Sequence, residues 1–166
     1  MDTRTNAVVD SIQVPFQPNK IVVDKNSKIW VQTDGEYYST TGDPEKPALV
    51  RIDPVTRKVE KILRLNVAGA YFSDIRLNPG KDTLFYLAGD LYKMPVSGNE
   101  LPGKSFISSE GRFYYSFGID PDSGDIYLGD PIDYSQNGAI YRYSSGGAPV
   151  DTFMVGICPG DYLFNY

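Results

Sequence analysis

The feature that most constrains this chain is an internal repeat. Each unit opens with a short apolar strand that ends in a turn former. The copies are Ile21-Val22-Val23-Asp24, Ile75-Arg76-Leu77-Asn78 and Phe117-Gly118-Ile119-Asp120. Polar turns follow at 25–28, 79–82 and 121–124, then second strands: Ile29-Trp30-Val31, Leu84-Phe85-Tyr86-Leu87 and Ile126-Tyr127-Leu128. The third strands are the most regular: Leu49-Val50-Arg51-Ile52, Leu91-Tyr92-Lys93-Met94 and Ile140-Tyr141-Arg142-Tyr143, with a basic residue third of four each time. Weaker fourth strands are expected at Val59 to Leu65, Ser105 to Ser109 and Val150 to Val155. The period of 42 to 54 residues, at four strands each, is that of a propeller blade. A β-sandwich of about a dozen strands is the alternative, but a sandwich does not require one basic residue at one place in successive units. No helix of convincing length is foreseen.

The expected fold is therefore all-β: a β-propeller of four-stranded antiparallel blades, about three full blades with partial blades at each end. The boundaries are 1–15 (the end of a blade), 16–66, 67–110, 111–155 and 156–166 (the first strand of a closing blade). The run Asp2-Thr3-Arg4-Thr5-Asn6-Ala7-Val8 resembles Asp53-Pro54-Val55-Thr56-Arg57-Lys58-Val59, a turn into a fourth strand. Three blades do not close a ring, since propellers use about four to eight. The chain is read as the C-terminal part of a larger propeller, whose missing part would carry any export signal.

Composition then removes function classes. The chain has no His, which excludes Ser-His-Asp and Cys-His catalysis and His-ligated zinc. One cysteine, Cys158, excludes an internal disulfide and a cysteine metal cluster, and reads as a small buried residue. Net charge is −5, so no basic patch is available to follow a phosphate backbone and nucleic-acid binding is not expected. No apolar run approaches the ~20 residues of a membrane-spanning helix, so no membrane insertion is expected. Asp120-Pro121-Asp122-Ser123-Gly124-Asp125 has the opening of a calcium loop, but its twelfth position is Pro131 where a Glu is needed, so it reads as a plain turn. No phosphate-binding glycine loop or Gly-x-Ser-x-Gly elbow is present. The arginines and lysine of the third strands (Arg51, Lys93, Arg142) read as surface residues paired with neighbouring acids. No catalytic residue, metal ligand or cofactor is assigned.

The repeat also sorts the loops onto two ends of the blades. Turns at 24–28, 53–58, 78–83, 95–104, 120–125 and 145–147 share one end and hold no aromatic residue. Loops at 15–19, 34–47, 67–73, 109–116, 129–138 and 157–162 share the other, and hold ten Tyr and Phe. Aromatic side chains give large, rigid contact area and suit recognition surfaces. Phe16, Phe72, Phe113 and Tyr162 are expected to cap the core between blades. Tyr37, Tyr38, Tyr71, Tyr114, Tyr115 and Tyr134, with Asp133 in the same loops, are the expected ligand-contact residues.

Pro18-x-x-Ile21-Val22-Val23-Asp24, Ile29-Trp30-Val31 and Leu49-Val50-Arg51-Ile52-Asp53-Pro54-x-Thr56-x-x-Val59 together resemble the YncE/YVTN-type β-propeller repeat. Cys158-Pro159-Gly160-Asp161-Tyr162-Leu163-Phe164 is similar to the closing strand of seven-bladed members in Bacteroidota, the DUF5074 or surface-layer-like group. That group includes BtuG-type surface lipoproteins that bind cobalamin and pass it to an outer-membrane transporter. The resemblance implies a non-catalytic ligand-binding propeller at the cell surface or in the periplasm, with a corrinoid as leading ligand and a transporter as possible partner. Two other readings stand beside it. One is a protein-interaction platform using the same aromatic face. The other is a propeller lyase or hydrolase whose catalytic groups lie in the missing half.

Overall fold

The computed structural model describes residues 2–36, 42, 44–67 and 70–165. It contains eleven strands and no helix among them. The first sheet is a meander of β1 (Pro18–Val23), β2 (Ile29–Thr33), β3 (Ala48–Asp53) and β4 (Lys58–Arg64). The second holds β5 (Asp74–Leu77), β6 (Thr83–Ala88) and β7 (Asp90–Pro95). The third holds β8 (Ser116–Ile119), β9 (Ile126–Asp130), β10 (Ala139–Tyr143) and β11 (Pro149–Met154). All neighbours pair antiparallel. The three first strands are adjacent, β1 against β5 and β5 against β8, so they line a common axis as in propeller blades.

The unit's conserved spacing is explained by side-chain capping of the first turn. Asp24 Oδ1 accepts the amides of Asn26 (2.8 Å) and Lys28 (3.0 Å). Asn78 Oδ1 accepts those of Asp82 and Thr83 (both 3.0 Å), and Asp120 Oδ1 those of Asp122 (2.9 Å) and Ser123 (3.0 Å). Asp24 and Asp120 thereby make the Asx arrangement, each capping the amide two residues on, while Asn78 caps the amides four and five residues on. The Asp120 carboxylate thus caps its own turn, and the Asp125 carboxylate accepts from Arg142.

The sheets stack face to face through side chains of alternate sign along each strand. Trp30, Leu49 and Leu63 of the first sheet pack on Phe72, Ile75, Leu84, Tyr86 and Met94 of the second. The opposite face of the second sheet, with Phe85, Leu87 and Leu91, packs on Phe117, Ile126, Leu128 and Tyr143 of the third. β6 is covered on both faces, which is why Leu84-Phe85-Tyr86-Leu87 is continuously apolar rather than alternating. The outer face of the first sheet (Val31, Ala48, Val50, Ile52) is covered by Ile12 and Val14 from the N-terminal segment.

Two expected strands do not form. Of Ser105 to Ser109, only Ile107 bridges Leu91. The Leu91 carbonyl takes two amides, Phe106 (2.8 Å) and Ile107 (3.1 Å), and the Asp90 carboxylate caps Ser109 (2.7 Å), so the ladder ends after one rung. The C-terminal segment, expected as a first strand over 156–166, forms no strand over its described residues 156–165. Its backbone turns at Cys158 (φ 54°) and loses a donor at Pro159, and the segment crosses the outer face of the third sheet instead. The bed for it is made of glycines. A Cβ on Gly118 would lie 2.6 Å from the Tyr162 ring, on Gly129 2.7 Å from its hydroxyl, and on Gly138 2.8 Å from the Pro159 ring.

The repeated basic residues divide. Arg51 pairs with Glu60 (3.0 Å) and Arg142 with Asp125 (2.7 Å), while Lys93 lies 3.5 Å over the Phe106 ring, where a cation–π contact replaces the expected acid. From the β1–β2 turn, Lys28 bridges Asp53 at the end of β3 (3.0 Å) and Glu60 of β4 (2.8 Å). The Lys28 ammonium, with the Thr56 and Val55 amides, lowers the Asp53 pKa from 3.8 to about 2. A depressed carboxylate stabilises the fold above its unfolded pKa, and that contribution is lost as pH falls through the folded value. The Asp53 carboxyl carbon should therefore titrate near pH 2 by NMR. In Lys28→Met its midpoint should move up toward the ordinary range, and an unmoved midpoint would refute the assignment.

Candidate functional site

Three aromatic loops and the C-terminal segment converge at the axis end of the second and third sheets. They enclose a cup of about 300 Å³ lined by Lys20, Tyr71, Ser73, Asp74, Phe113, Tyr115, Ser116, Tyr134 and Gly160. The 71–73 loop is anchored by the Ser73 amide on the Leu87 carbonyl (2.8 Å), and the 113–115 loop by the Tyr115 amide on the Gly129 carbonyl (2.8 Å). Tyr134 stands on a turn in which both the Asp133 and Tyr134 amides donate to the Pro131 carbonyl, and the Asp130 carboxylate caps Ile132 (2.8 Å). Ile132 (φ 60°) and Tyr134 (φ 63°) are both left-handed there. A β-branched residue in that region is strained by roughly 1–3 kcal/mol, an expense met by the structure around it and concentrated where a side chain is being presented.

The rim is aromatic. Tyr134 lies with ring centres 6.0 Å from both Tyr115 (edge-on, 86°) and Phe113 (tilted, 57°). Partial desolvation, and then the neighbouring Tyr71, Tyr115, Cys158 and Asp130, push the Tyr134 hydroxyl above its ordinary pKa, so it stays a neutral donor. The floor is ionic but balanced. Buried Asp74 accepts the Ile75 amide (2.9 Å) and Arg76 Nε (3.1 Å), with the Lys20 ammonium 3.8 Å away. Arg76 continues to Asp161 (2.8 Å), whose pKa is lowered by the Tyr162 amide and then by Arg76. Ser116 Oγ donates to the Pro159 carbonyl, which ties the C-terminal segment to the cup wall.

Of the sequence-derived contact residues, the structure brings Tyr71, Tyr115 and Tyr134 together around one cavity. Tyr114 is a correction: it is 2% exposed, in the core between the second and third sheets, with its hydroxyl 2.9 Å from that of Tyr143. Alternation along Phe113-Tyr114-Tyr115 turns the outer two rings outward and the middle one inward. Asp133 is also corrected. Its carboxylate caps the Gln136 and Ser135 amides (both 3.0 Å), which hold its pKa down, and it does not line the cup. Tyr37 and Tyr38 lie outside the described residues. Among the expected caps, Phe72 is buried and Tyr162 half-buried, while Phe16 (59%) and Phe113 (44%) are exposed, Phe113 because it belongs to the rim. Lys20, Ser73, Asp74, Ser116 and Gly160 were not foreseen; the available signal was a polar residue on the axis side of otherwise apolar first strands.

A larger groove of about 600 Å³ runs between residues 12–18 and β4. Its carboxylate, Glu45, is already taken by Arg64 (3.2 Å) and the Phe16 amide (3.0 Å). Among the described residues no group of three or more potential ligands could hold a metal ion, and no helix is long and apolar enough to cross a membrane.

No known family profile matches the chain, and no curated protein matches it. Solved structures do. Hydrazine synthase of Kuenenia stuttgartiensis superposes with a TM-score of 0.70 at 15% identity, over 93% of this chain and 42% of that one. A quinoprotein alcohol dehydrogenase-like protein of Bacteroides thetaiotaomicron gives 0.61 at 14%, over 82% and 33%. The chain thus spans less than half the length of either. At such identities the likeness establishes the fold, part of a β-propeller, and nothing about activity.

Proposed function

We propose that this chain is part of a non-catalytic, ligand-binding β-propeller of the cell surface or periplasm, and that the aromatic cup is its binding site. The observation that carries this reading is the convergence of Tyr71, Tyr115 and Tyr134, from three separate loops, on one cavity with a buried polar floor. Half-exposed rings with few rotors, held by anchored loops, are pre-organised for contact. The absence of His from the chain and the mutual pairing of Asp74, Arg76 and Asp161 favour recognition over acid–base chemistry. A corrinoid, the ligand suggested by the sequence resemblance, is larger than the cup and would rest on the rim rings with one peripheral group inside. An outer-membrane transporter is the proposed partner of the same face.

Tyr134→Ala should weaken cobalamin binding about tenfold, equivalent to roughly 1.4 kcal/mol, in a calorimetric titration. The melting temperature should stay within about 2 °C, since the side chain is half-exposed. Unchanged affinity in this variant would remove the cup from the site.

A further inference from the structure

We propose that the group seated in the cup is a neutral, hydroxyl-bearing saturated ring of sugar type; this rests on the reading of the cup as a ligand site. Size is the first argument. About 300 Å³ is the lower end of the range for small-molecule sites, enough for one ring and its substituents but not for a macrocycle. The second is the wall. Tyr134, with Tyr115 and Phe113 around it at 6.0 Å, offers apolar ring faces and edges to a C–H-rich face.

The third argument is charge, and it discriminates. The charged groups lining the cup are one carboxylate (Asp74) and one cation (Lys20), and Asp74 is paired as well with Arg76, so the lining has no net charge to offer an ion. An anion would face Asp74. A quaternary ammonium, the usual guest of an aromatic cage, would face Lys20. Yet the floor is rich in unsaturated hydrogen-bonding capacity of both signs. At 3.8 Å the Lys20 ammonium is outside hydrogen-bond distance of Asp74 and keeps donors to give, and Asp74 has lone pairs left on a largely buried carboxylate. A hydroxyl both donates and accepts, so adjacent hydroxyls on one ring satisfy Lys20 and Asp74 together. A flat apolar guest would cover both without a partner, at a cost that makes such sites strongly selective.

The same chemistry has two sources: a free or glycan-borne sugar, or the ribose within a larger ligand such as cobalamin. The test uses the 166-residue chain. Saturation-transfer NMR is recorded with a panel of neutral methyl glycosides and oligosaccharides and with tetramethylammonium, and calorimetry with cobalamin and with cobinamide, which lacks the ribose-bearing loop. The expected result is that a sugar of the panel, or cobalamin at least tenfold better than cobinamide, binds the parent. That binding should be weakened about tenfold in Tyr134→Ala and about tenfold in Lys20→Met. Sugar binding identifies a glycan source, and preference for cobalamin over cobinamide identifies the ribose. Binding of tetramethylammonium alone, or of cobalamin and cobinamide equally, with sensitivity to Tyr134→Ala, overturns the sugar assignment and leaves the cup a ligand site. Binding indifferent to both variants, or no binding by any probe, overturns the sugar assignment and the cup together.

Discussion

Trp30→Ala should cost about 3–5 kcal/mol, the usual range for emptying a fully buried large aromatic site. Trp30 has no exposed surface and forms the contact between the first and second sheets with Leu49, Phe72 and Tyr86. Its Nε1 also donates to Asp24 Oδ2 (3.0 Å), and the Arg51 guanidinium lies 5.7 Å over its ring. The substitution therefore opens a cavity and leaves one oxygen of a buried carboxylate without its donor. Against a typical total of 5–15 kcal/mol this is a large loss. Trp30→Phe keeps most of the volume and loses the donor, and should cost roughly 1–3 kcal/mol. Denaturant midpoints of the two variants separate packing from the hydrogen bond. A Trp30→Ala protein within 1 kcal/mol of the parent would mean the first two sheets do not share this core.

Gly118→Ala should have the second large effect, and should act at a distance from the residue itself. The added methyl would stand 2.6 Å from Tyr162 Cγ and 2.8 Å from its Cβ, so the ring must lift from the sheet. Gly118 has no left-handed backbone, so the cost is steric and not conformational. Overpacking of this kind costs about 1–3 kcal/mol. The visible consequence should be faster proteolysis within residues 157–164, with weaker ligand binding, because Gly160 of the same segment is part of the cup wall. Gly103→Ala, where nothing lies within 4 Å, is the control and should change neither. Adding Tyr162→Ala to Gly118→Ala should relieve the clash while leaving the segment loose, so stability recovers without the protease resistance. Equal protease sensitivity of parent and Gly118→Ala would show that the segment is not held by this contact.

What could be read in advance was whatever the chain encodes locally. The Asp24, Asn78 and Asp120 turns follow from a short-range hydrogen-bonding rule, and the strands beside them from alternation and apolar runs. The one-rung pairing of Ile107 depends on how Asp90 caps Ser109, nineteen residues away, and Tyr114 was misplaced because period-two alternation was not applied to a loop. The aromatic loop face was legible as a class of residues, and Tyr71, Tyr115 and Tyr134 met as expected. The ionic contacts beside the cup were not legible: Arg76 and Asp161 are eighty-five residues apart, and only the path of the final segment brings them together.

That final segment has a consequence for how the molecule joins to anything else. The outer face of the third sheet is where a neighbouring sheet would stack, and it is occupied by Pro159 and Tyr162, which also hold Gly160 in the cup. Any sheet that docks there by lifting the segment dismantles one wall of the cup proposed as the ligand site. Ligand and neighbour are then thermodynamically linked: whatever factor the ligand adds to retention of the segment, the neighbour loses in affinity, and the reverse holds by the same factor.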